Sequence, residues 1–141
     1  MASVARVERG VESGIVIDDS WSGELSGLAG PRRTMHRPDL IGVVPTRRPA
    51  AIEVELRRKS KPRLRAILDL HARWIATGRS GACVYVCGDA AVRELVISQA
   101  ALAGLRLEDG GLRIELLETI KQLAIAAADE KAARARVGRD A

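Results

Sequence analysis

Residues 51–56 have the sequence Ala-Ile-Glu-Val-Glu-Leu, in which apolar and acidic side chains alternate. This period of two predicts a β-strand with Ile52, Val54 and Leu56 on one face and both carboxylates, Glu53 and Glu55, on the other. Two like charges on one face destabilise a strand unless a cation or solvent meets them. The strand is therefore a candidate for a functional site.

The segments around this strand predict an alternation of strands and helices. Residues 39–44 form a second β-rich run, and the turn Pro45-Thr-Arg-Arg-Pro49 between the two runs predicts a hairpin. A helix is expected from Pro62 to Gly78, because apolar residues recur there at helical spacing. The remaining predictions are a short helix over 3–13, a strand over 15–17, a loop over 22–33, strands over 82–87 and 112–117, and helices over 92–102 and 119–136.

This order of elements predicts an α/β fold with a mixed central β-sheet flanked by helices on both faces. The length of 141 residues suits one domain. Its expected parts are an N-terminal helix and loop (1–33), a core (34–120), and a C-terminal helix with a frayed tail (121–141).

Composition excludes several classes of protein. No apolar stretch approaches the roughly 20 residues of a membrane helix, and the charged N-terminus lacks the apolar region of a secretory signal, so we expect a cytoplasmic protein. The chain has only Trp21, Trp74 and Tyr85 as aromatic residues, which disfavours modules that stack single-stranded bases.

Cys83 and Cys87 lie on one predicted strand with Cα atoms about 13 Å apart, too far for a disulfide, and we expect two buried free thiols.

The positive charge is concentrated in one segment. The whole chain has a net charge of +5, whereas residues 31–79 hold 13 basic and 4 acidic residues, a net charge of +9. The rest of the chain is therefore net negative. A localised basic region is typical of proteins that bind phosphate backbones, and the alternative is a solvated charged face with no partner.

Three acidic residues are candidates for a metal site. Asp39 begins the strand next to Glu53 and Glu55, and we expect their three carboxylates to converge beside the basic segment. Oxygen ligands of this kind bind Mg²⁺, which can promote phosphodiester hydrolysis. In the alternative, Glu53 and Glu55 pair with arginines on a wet sheet face. His36 is expected in an exposed loop and His71 in the core.

These residues carry a resemblance to a known family. The pattern His36-Arg-Pro-Asp39, then Ala51-Ile-Glu-Val-Glu-Leu56, then Lys59-Ser-Lys61 leading into a helix, resembles the core of the PD-(D/E)xK nuclease superfamily. It is more narrowly similar to bacterial replication-relaxation proteins, in which a helix of the type Arg63-Leu-x-x-Ile-Leu68 follows the acidic strand. The resemblance covers about residues 34–89. It implies the restriction-endonuclease-like αβββαβ core, here with a further α-β-α extension.

The resemblance also implies roles for individual residues. Asp39 and Glu53 match the two metal-binding acids, and Glu55 stands where the superfamily usually has Lys. The missing ammonium could then come from Lys59 or Lys61. An acid of the first helix often joins such sites, and Glu12 is preferred here over Glu8.

The sequence thus supports two hypotheses. The first is a Mg²⁺-dependent DNA endonuclease, with Mn²⁺ as a substitute, in which basic side chains hold the DNA backbone; these are Arg37, Arg57, Arg58, Arg63 and Arg65. A homodimer would supply the two sites that cutting a duplex needs, and a protein partner could supply DNA targeting. The second hypothesis is a catalytically inactive DNA-binding or protein-interaction module of the same fold, acting in replication or mobile-element regulation.

Overall fold

The computed structural model describes residues 14–18, 20–28, 30 and 33–140. The helix predicted over 3–13, with Glu8 and Glu12, lies outside these residues. In chain order the described strands and helices are β1 (Gly14–Val16), β2 (Gly23–Leu25), β3 (Thr34–His36), β4 (Leu40–Val43), β5 (Ala50–Glu55), α1 (Lys61–Ala76), β6 (Ala82–Cys87), α2 (Ala90–Leu102), β7 (Leu112–Leu116) and α3 (Leu117–Asp140).

Five strands form one mixed sheet in the order β1-β4-β5-β6-β7. The pairs β1–β4 and β4–β5 are antiparallel, and β5–β6 and β6–β7 are parallel. Helices α1 and α2 connect the parallel strands, because parallel neighbours need a crossover connection. The predicted hairpin of β4 and β5 and the predicted mixed α/β sheet are both confirmed.

Helices α1 and α2 pack against the same face of the sheet. On this face Glu53 and Glu55 of β5 lie beside Tyr85 and Cys87 of β6 in the parallel register. The main core joins β6 to both helices through Leu64 and Leu68 of α1 and through Val92 and Val96 of α2, among other residues. The acidic side chains of β5 therefore point into the protein.

The opposite face of the sheet is less covered than the sequence predicts. Its side chains Ile52, Val54 and Val84 are only half-buried, whereas Ala51 and Cys83 on the helical face are fully buried. The expectation of helices packed on both faces is therefore not met in the described residues. The predicted alternation in β5 is present, and the acids lie on its more deeply buried face.

A small second sheet lies within and beyond the predicted 22–33 loop. Strands β2 and β3 pair antiparallel, and β2 contacts α1. Here Gly23 comes so close to α1 that a Cβ would lie 2.5 Å from Leu70 Cδ1. Arg79 stacks on Trp21 and Trp74 with its guanidinium carbon 4.9 Å from each ring centre, which fastens the same region to α1. The loop prediction was wrong for β2, because a strand of three residues is too short to show a periodicity.

The ends of α1 and α2 follow the usual capping rules. Ser60 caps α1 by accepting a hydrogen bond from the Arg63 N–H, and Pro62 occupies its first turn. Asp89 caps α2 by accepting from the Val92 N–H. The third helix, α3, starts two residues before its predicted start and continues through the tail that was expected to fray, to Asp140.

Two further expectations can be compared with the fold. Cys83 and Cys87 are buried free thiols on one face of β6, as predicted. No helix in the described part of the chain is long and apolar enough to cross a membrane.

We predict that Gly88→Ala destabilises the fold near the end of β5. An added Cβ at Gly88 would lie 2.5 Å from the Leu56 carbonyl oxygen, so backbone must shift. The expected loss is about 1–3 kcal/mol in the free energy of unfolding, measured by urea denaturation. Gly138→Ala is the control, because a Cβ there meets no atom within 4 Å and the substitution favours the helix. Equal stability of the two variants would contradict the close approach.

Candidate functional site

The candidate site is centred on Glu53, the fourth residue of β5. The strand turns this side chain toward α1, and Glu53 is only 3% exposed. A carboxylate so far from water is costly unless it is hydrogen-bonded or paired. The partners that meet Glu53 therefore determine the chemistry of the site.

Two histidines contact the same oxygen of Glu53. His36 Nε2 lies 2.5 Å from Glu53 Oε2, and His71 Nε2 lies 2.6 Å from it. His36 comes from β3 of the small sheet and His71 from the buried face of α1, and the two rings meet edge to face with centroids 6.2 Å apart. Three separate elements thus bring their side chains to one point.

The electrostatics of Glu53 reflect these contacts. Burial acts to raise the pKa of Glu53, but the hydrogen bonds and charges of His36 and His71 outweigh it and lower the pKa to about 2. Glu53 is therefore ionised at neutral pH and can only accept hydrogen bonds, so each Nε2 is the donor. The other ring nitrogen of His71, Nδ1, is buried without a hydrogen-bond partner in the described structure.

The three predicted metal-binding acids make separate contacts. Asp39 is exposed, and its Oδ2 accepts a hydrogen bond from the Val54 N–H at 2.7 Å, which adds a contact between the two strands just before the start of β4. Glu55 is buried and accepts a hydrogen bond from Lys59 Nζ at 2.7 Å. Among the described residues, the one group of three close metal-ligating side chains is His36, Glu53 and His71, whose ligand atoms lie within 4.8 Å of one another.

The predicted basic residues occupy the segment that leaves β5 and enters α1. Arg57, Arg58 and Arg63 are exposed, and within the described part of the chain none of the three forms an ion pair. Lys61 is exposed at the first residue of α1, and Arg65 pairs with Asp69 at 3.0 Å. Arg37 is exposed next to His36. Of the two lysines predicted to assist catalysis, Lys59 contacts one of the predicted site acids, Glu55.

The sequence analysis misplaced one of the two histidines and missed the contact that the other makes. His36 was expected in an exposed loop, but it lies in β3 with a side chain 12% exposed and bound to Glu53. His71 is in the core as expected, although its contact with Glu53 was not foreseen. The available signal was that the chain has only two histidines, one beside Pro38-Asp39 and one on the apolar face of the helix.

The site fits an imidazole-preferring metal better than Mg²⁺. Mg²⁺ prefers an octahedral shell of oxygen ligands, and the described cluster offers one carboxylate and two imidazoles. Asp39 and Glu55, the other oxygen donors expected from the sequence, already bind a backbone N–H and Lys59. Without a metal, the cluster can still act as a carboxylate that orients two imidazoles.

A cavity of the described structure lies away from this cluster. It has a volume of about 590 Å³ and is lined by Ile15, Val43, Val84 and Arg113, among others, on the half-buried face of the sheet. None of the three cluster residues lines it. Because this cavity brings no carboxylate or imidazole together, we place the candidate site at Glu53.

Searches of protein-family models, curated proteins and solved structures found no match to this chain. The resemblance to the PD-(D/E)xK superfamily therefore stays a prediction that rests on the residues quoted above.

We predict that Glu53→Gln lowers stability by about 2 kcal/mol at pH 7, the scale of hydrogen bonds to a charged group. Because the pKa of Glu53 is lowered from 4.5 to about 2 on folding, its ionised form stabilises the protein above pH 4.5. That stabilisation is lost as the pH falls from 4.5 toward 2. The difference between wild type and variant should therefore shrink over this window.

Urea unfolding followed by tryptophan fluorescence, in buffer with a chelator, measures this difference. Asp69→Asn is the control, because Asp69 is a half-buried carboxylate whose pair with Arg65 lies on one helix. Its effect should stay within about 0.5 kcal/mol. A Glu53→Gln effect that does not change between pH 7 and pH 2 would contradict the ionised state of Glu53.

Proposed function

We propose that this chain is a nuclease-like DNA-processing protein that hydrolyses phosphodiester bonds with a divalent metal. The observation that carries the proposal is Glu53, an ionised carboxylate buried beneath two imidazoles on the strand that leads into an exposed arginine segment. Perturbed, buried titratable groups of this kind are concentrated at functional sites.

The position of the site in the sheet supports the proposal. Glu55 is the last residue of β5, and its carbonyl accepts a hydrogen bond from the Gly88 N–H, just past the end of β6. The acids therefore lie toward the carboxyl ends of two parallel strands, where open α/β sheets bind their ligands. Arg57 and Arg58 follow directly and are exposed, so they could hold a phosphate backbone at this edge.

The position of Lys59 supports the role that the resemblance implies for a lysine, which is to place an ammonium group near the acids of β5. Glu55 occupies the position that is usually Lys in the superfamily, and Lys59 Nζ lies 2.7 Å from Glu55 Oε2. An ammonium group is thereby held beside the acidic strand. Lys61 is a second candidate, exposed at the start of α1.

Mg²⁺, with Mn²⁺ as a substitute, is the cofactor that the resemblance implies. In the described structure Asp39 and Glu55 are engaged by other groups, so the fit to Mg²⁺ is poor and no reaction step is assigned to it. A DNA duplex as substrate, two copies of the chain to cut both strands, and a protein partner that brings the chain to its target all remain part of the proposal.

The first experiment is a nicking assay on supercoiled plasmid and single-stranded DNA, with Mg²⁺ and Mn²⁺ titrated separately. Metal-dependent nicking should be lost in Glu53→Gln by at least about a hundredfold, the scale of losing a general acid–base or metal-binding group. Asp69→Asn should cut like wild type. Cleavage that is unchanged in a folded Glu53→Gln variant would refute a role for this site.

A second function is favoured by the contacts of the other acids. Asp39 extends a β-ladder and Glu55 forms an ion pair, so both have structural uses that need no metal. This observation favours a catalytically inactive DNA-binding or protein-interaction module, acting in replication or mobile-element regulation. Such a module would keep the exposed arginines and bind DNA without cutting it.

DNA binding of either kind should depend strongly on salt. Each phosphate contact contributes about 0.9 to the slope of log K against log salt concentration on duplex DNA. The double variant Arg57→Ala, Arg58→Ala should therefore reduce that slope by about 2, as measured by fluorescence anisotropy. Arg134→Ala is the control, because Arg134 lies on α3 and pairs with Glu130. A slope unchanged in the double variant would exclude these two residues from the interface.

A further inference from the structure

We infer that His36, Glu53 and His71 form a binding site for Zn²⁺ or a similar imidazole-preferring divalent metal, and not for Mg²⁺. The chain contains two histidines, and both direct Nε2 at the same buried carboxylate oxygen. The inference concerns metal binding alone, so it stands or falls independently of DNA cleavage.

The ligand types select the metal. Two imidazole nitrogens and one carboxylate oxygen suit Zn²⁺ and related transition metals, whereas Mg²⁺ takes oxygen ligands. Three protein ligands leave a fourth position open for water, which is the arrangement of catalytic and not of structural zinc. Both Nε2 atoms already meet one buried oxygen of Glu53, so the three ligand atoms converge on one point.

The distances require only a small opening of the site. Tetrahedral zinc with bonds of about 2.0–2.1 Å places its ligand atoms about 3.3 Å apart, and here Nε2 and Oε2 are 2.5 and 2.6 Å apart. Each histidine must therefore move back by less than about 1 Å. His36 lies in the small β2–β3 sheet, and as the most exposed ligand, at 12%, it marks the side from which a metal enters.

The cysteines do not compete for the metal. A metal binds the thiolate, and burial raises the pKa of both thiols, that of Cys87 to about 11. Burial in the β6 core therefore makes it harder for either thiol to form a thiolate. The two cysteine sulfurs also lie outside the site, whose close metal-ligating side chains among the described residues are His36, Glu53 and His71.

The surroundings of His71 set the expected affinity. When Nε2 binds a metal, Nδ1 must carry the proton, and this atom has no acceptor in the described structure. Metal-binding histidines usually donate that N–H, and losing the donation weakens affinity about 10–100-fold. We therefore expect dissociation constants nearer micromolar than the much tighter values of fully supported zinc sites.

The test is calorimetric titration of Zn²⁺ into the full chain, without an affinity tag, after treatment with a chelator. One equivalent should bind and raise the melting temperature, and a large excess of Mg²⁺ should neither bind nor compete. Co²⁺ in place of Zn²⁺ should give the intense visible absorption of a low-coordinate site with nitrogen ligands. No binding, or equal competition by Mg²⁺, would overturn the inference.

Substitutions of the proposed ligands test whether the metal binds at these residues. His36→Gln should weaken binding at least about tenfold, and since its side chain is the most exposed of the three, the variant should remain folded by circular dichroism. Glu53→Gln should act in the same direction, and the control Asp69→Asn should bind Zn²⁺ like wild type. Unchanged binding by a folded His36→Gln variant would place the metal elsewhere and refute the site. Zinc binding without any DNA cleavage would refute the proposed nuclease and leave this inference intact.

Discussion

The burial of one negative charge, that of Glu53, constrains the arrangement of the elements around it. A carboxylate 3% exposed costs several kcal/mol of desolvation unless its oxygens are satisfied. Its two donors come from β3, which precedes β5 in the chain, and from α1, which follows it, and they lie 17 and 18 residues from Glu53. The small sheet must therefore sit where His36 can reach β5, and α1 must present His71 and not a neighbouring residue. The T-shaped contact of Trp21 with Trp74, with centroids 5.4 Å apart, fixes the same region in place.

The long elements were predictable because each carries its own period. Residues 61–76 repeat apolar side chains at helical spacing, and 82–87 alternate between core and half-buried positions. The orientation of β5 was not predictable from its alternation, since a period of two shows that the faces differ and not which one is inside. What decided it was tertiary packing: Glu53 pairs in register with Tyr85, and Tyr85 belongs to the core that α1 and α2 build. Strands β2 and β3, at three residues each, are below the length at which a pattern can be seen.

The candidate site was predictable at its centre and not at its periphery. Glu53 was found because an acid within an apolar strand is unusual. Asp39 and Glu55 were expected to join it, yet each has another partner: Asp39 accepts a hydrogen bond from the Val54 N–H, 15 residues away, and Glu55 pairs with Lys59, four residues away. His36 and His71 are 17 and 18 residues from Glu53, a separation across which only the packed fold decides what meets. A pair four residues apart, such as Glu55 and Lys59, can be foreseen from spacing, whereas partners 15 to 18 residues apart cannot.

Protons and a metal compete for the same three atoms in this site. In the described structure each Nε2 donates its proton to Glu53, and a metal would replace both of these hydrogen bonds with direct bonds to the nitrogens. The histidines therefore have a structural reason to be present even in a protein that never binds a metal, because without them Glu53 would be a buried charge with neither donor. For that reason the loss of stability in a Glu53 or histidine variant cannot distinguish a metal centre from a structural cluster. Affinity for the metal distinguishes them, because only a metal centre gives up the two Nε2 protons for Zn²⁺. That exchange leaves the proton of His71 on Nδ1, which has no acceptor in the described structure.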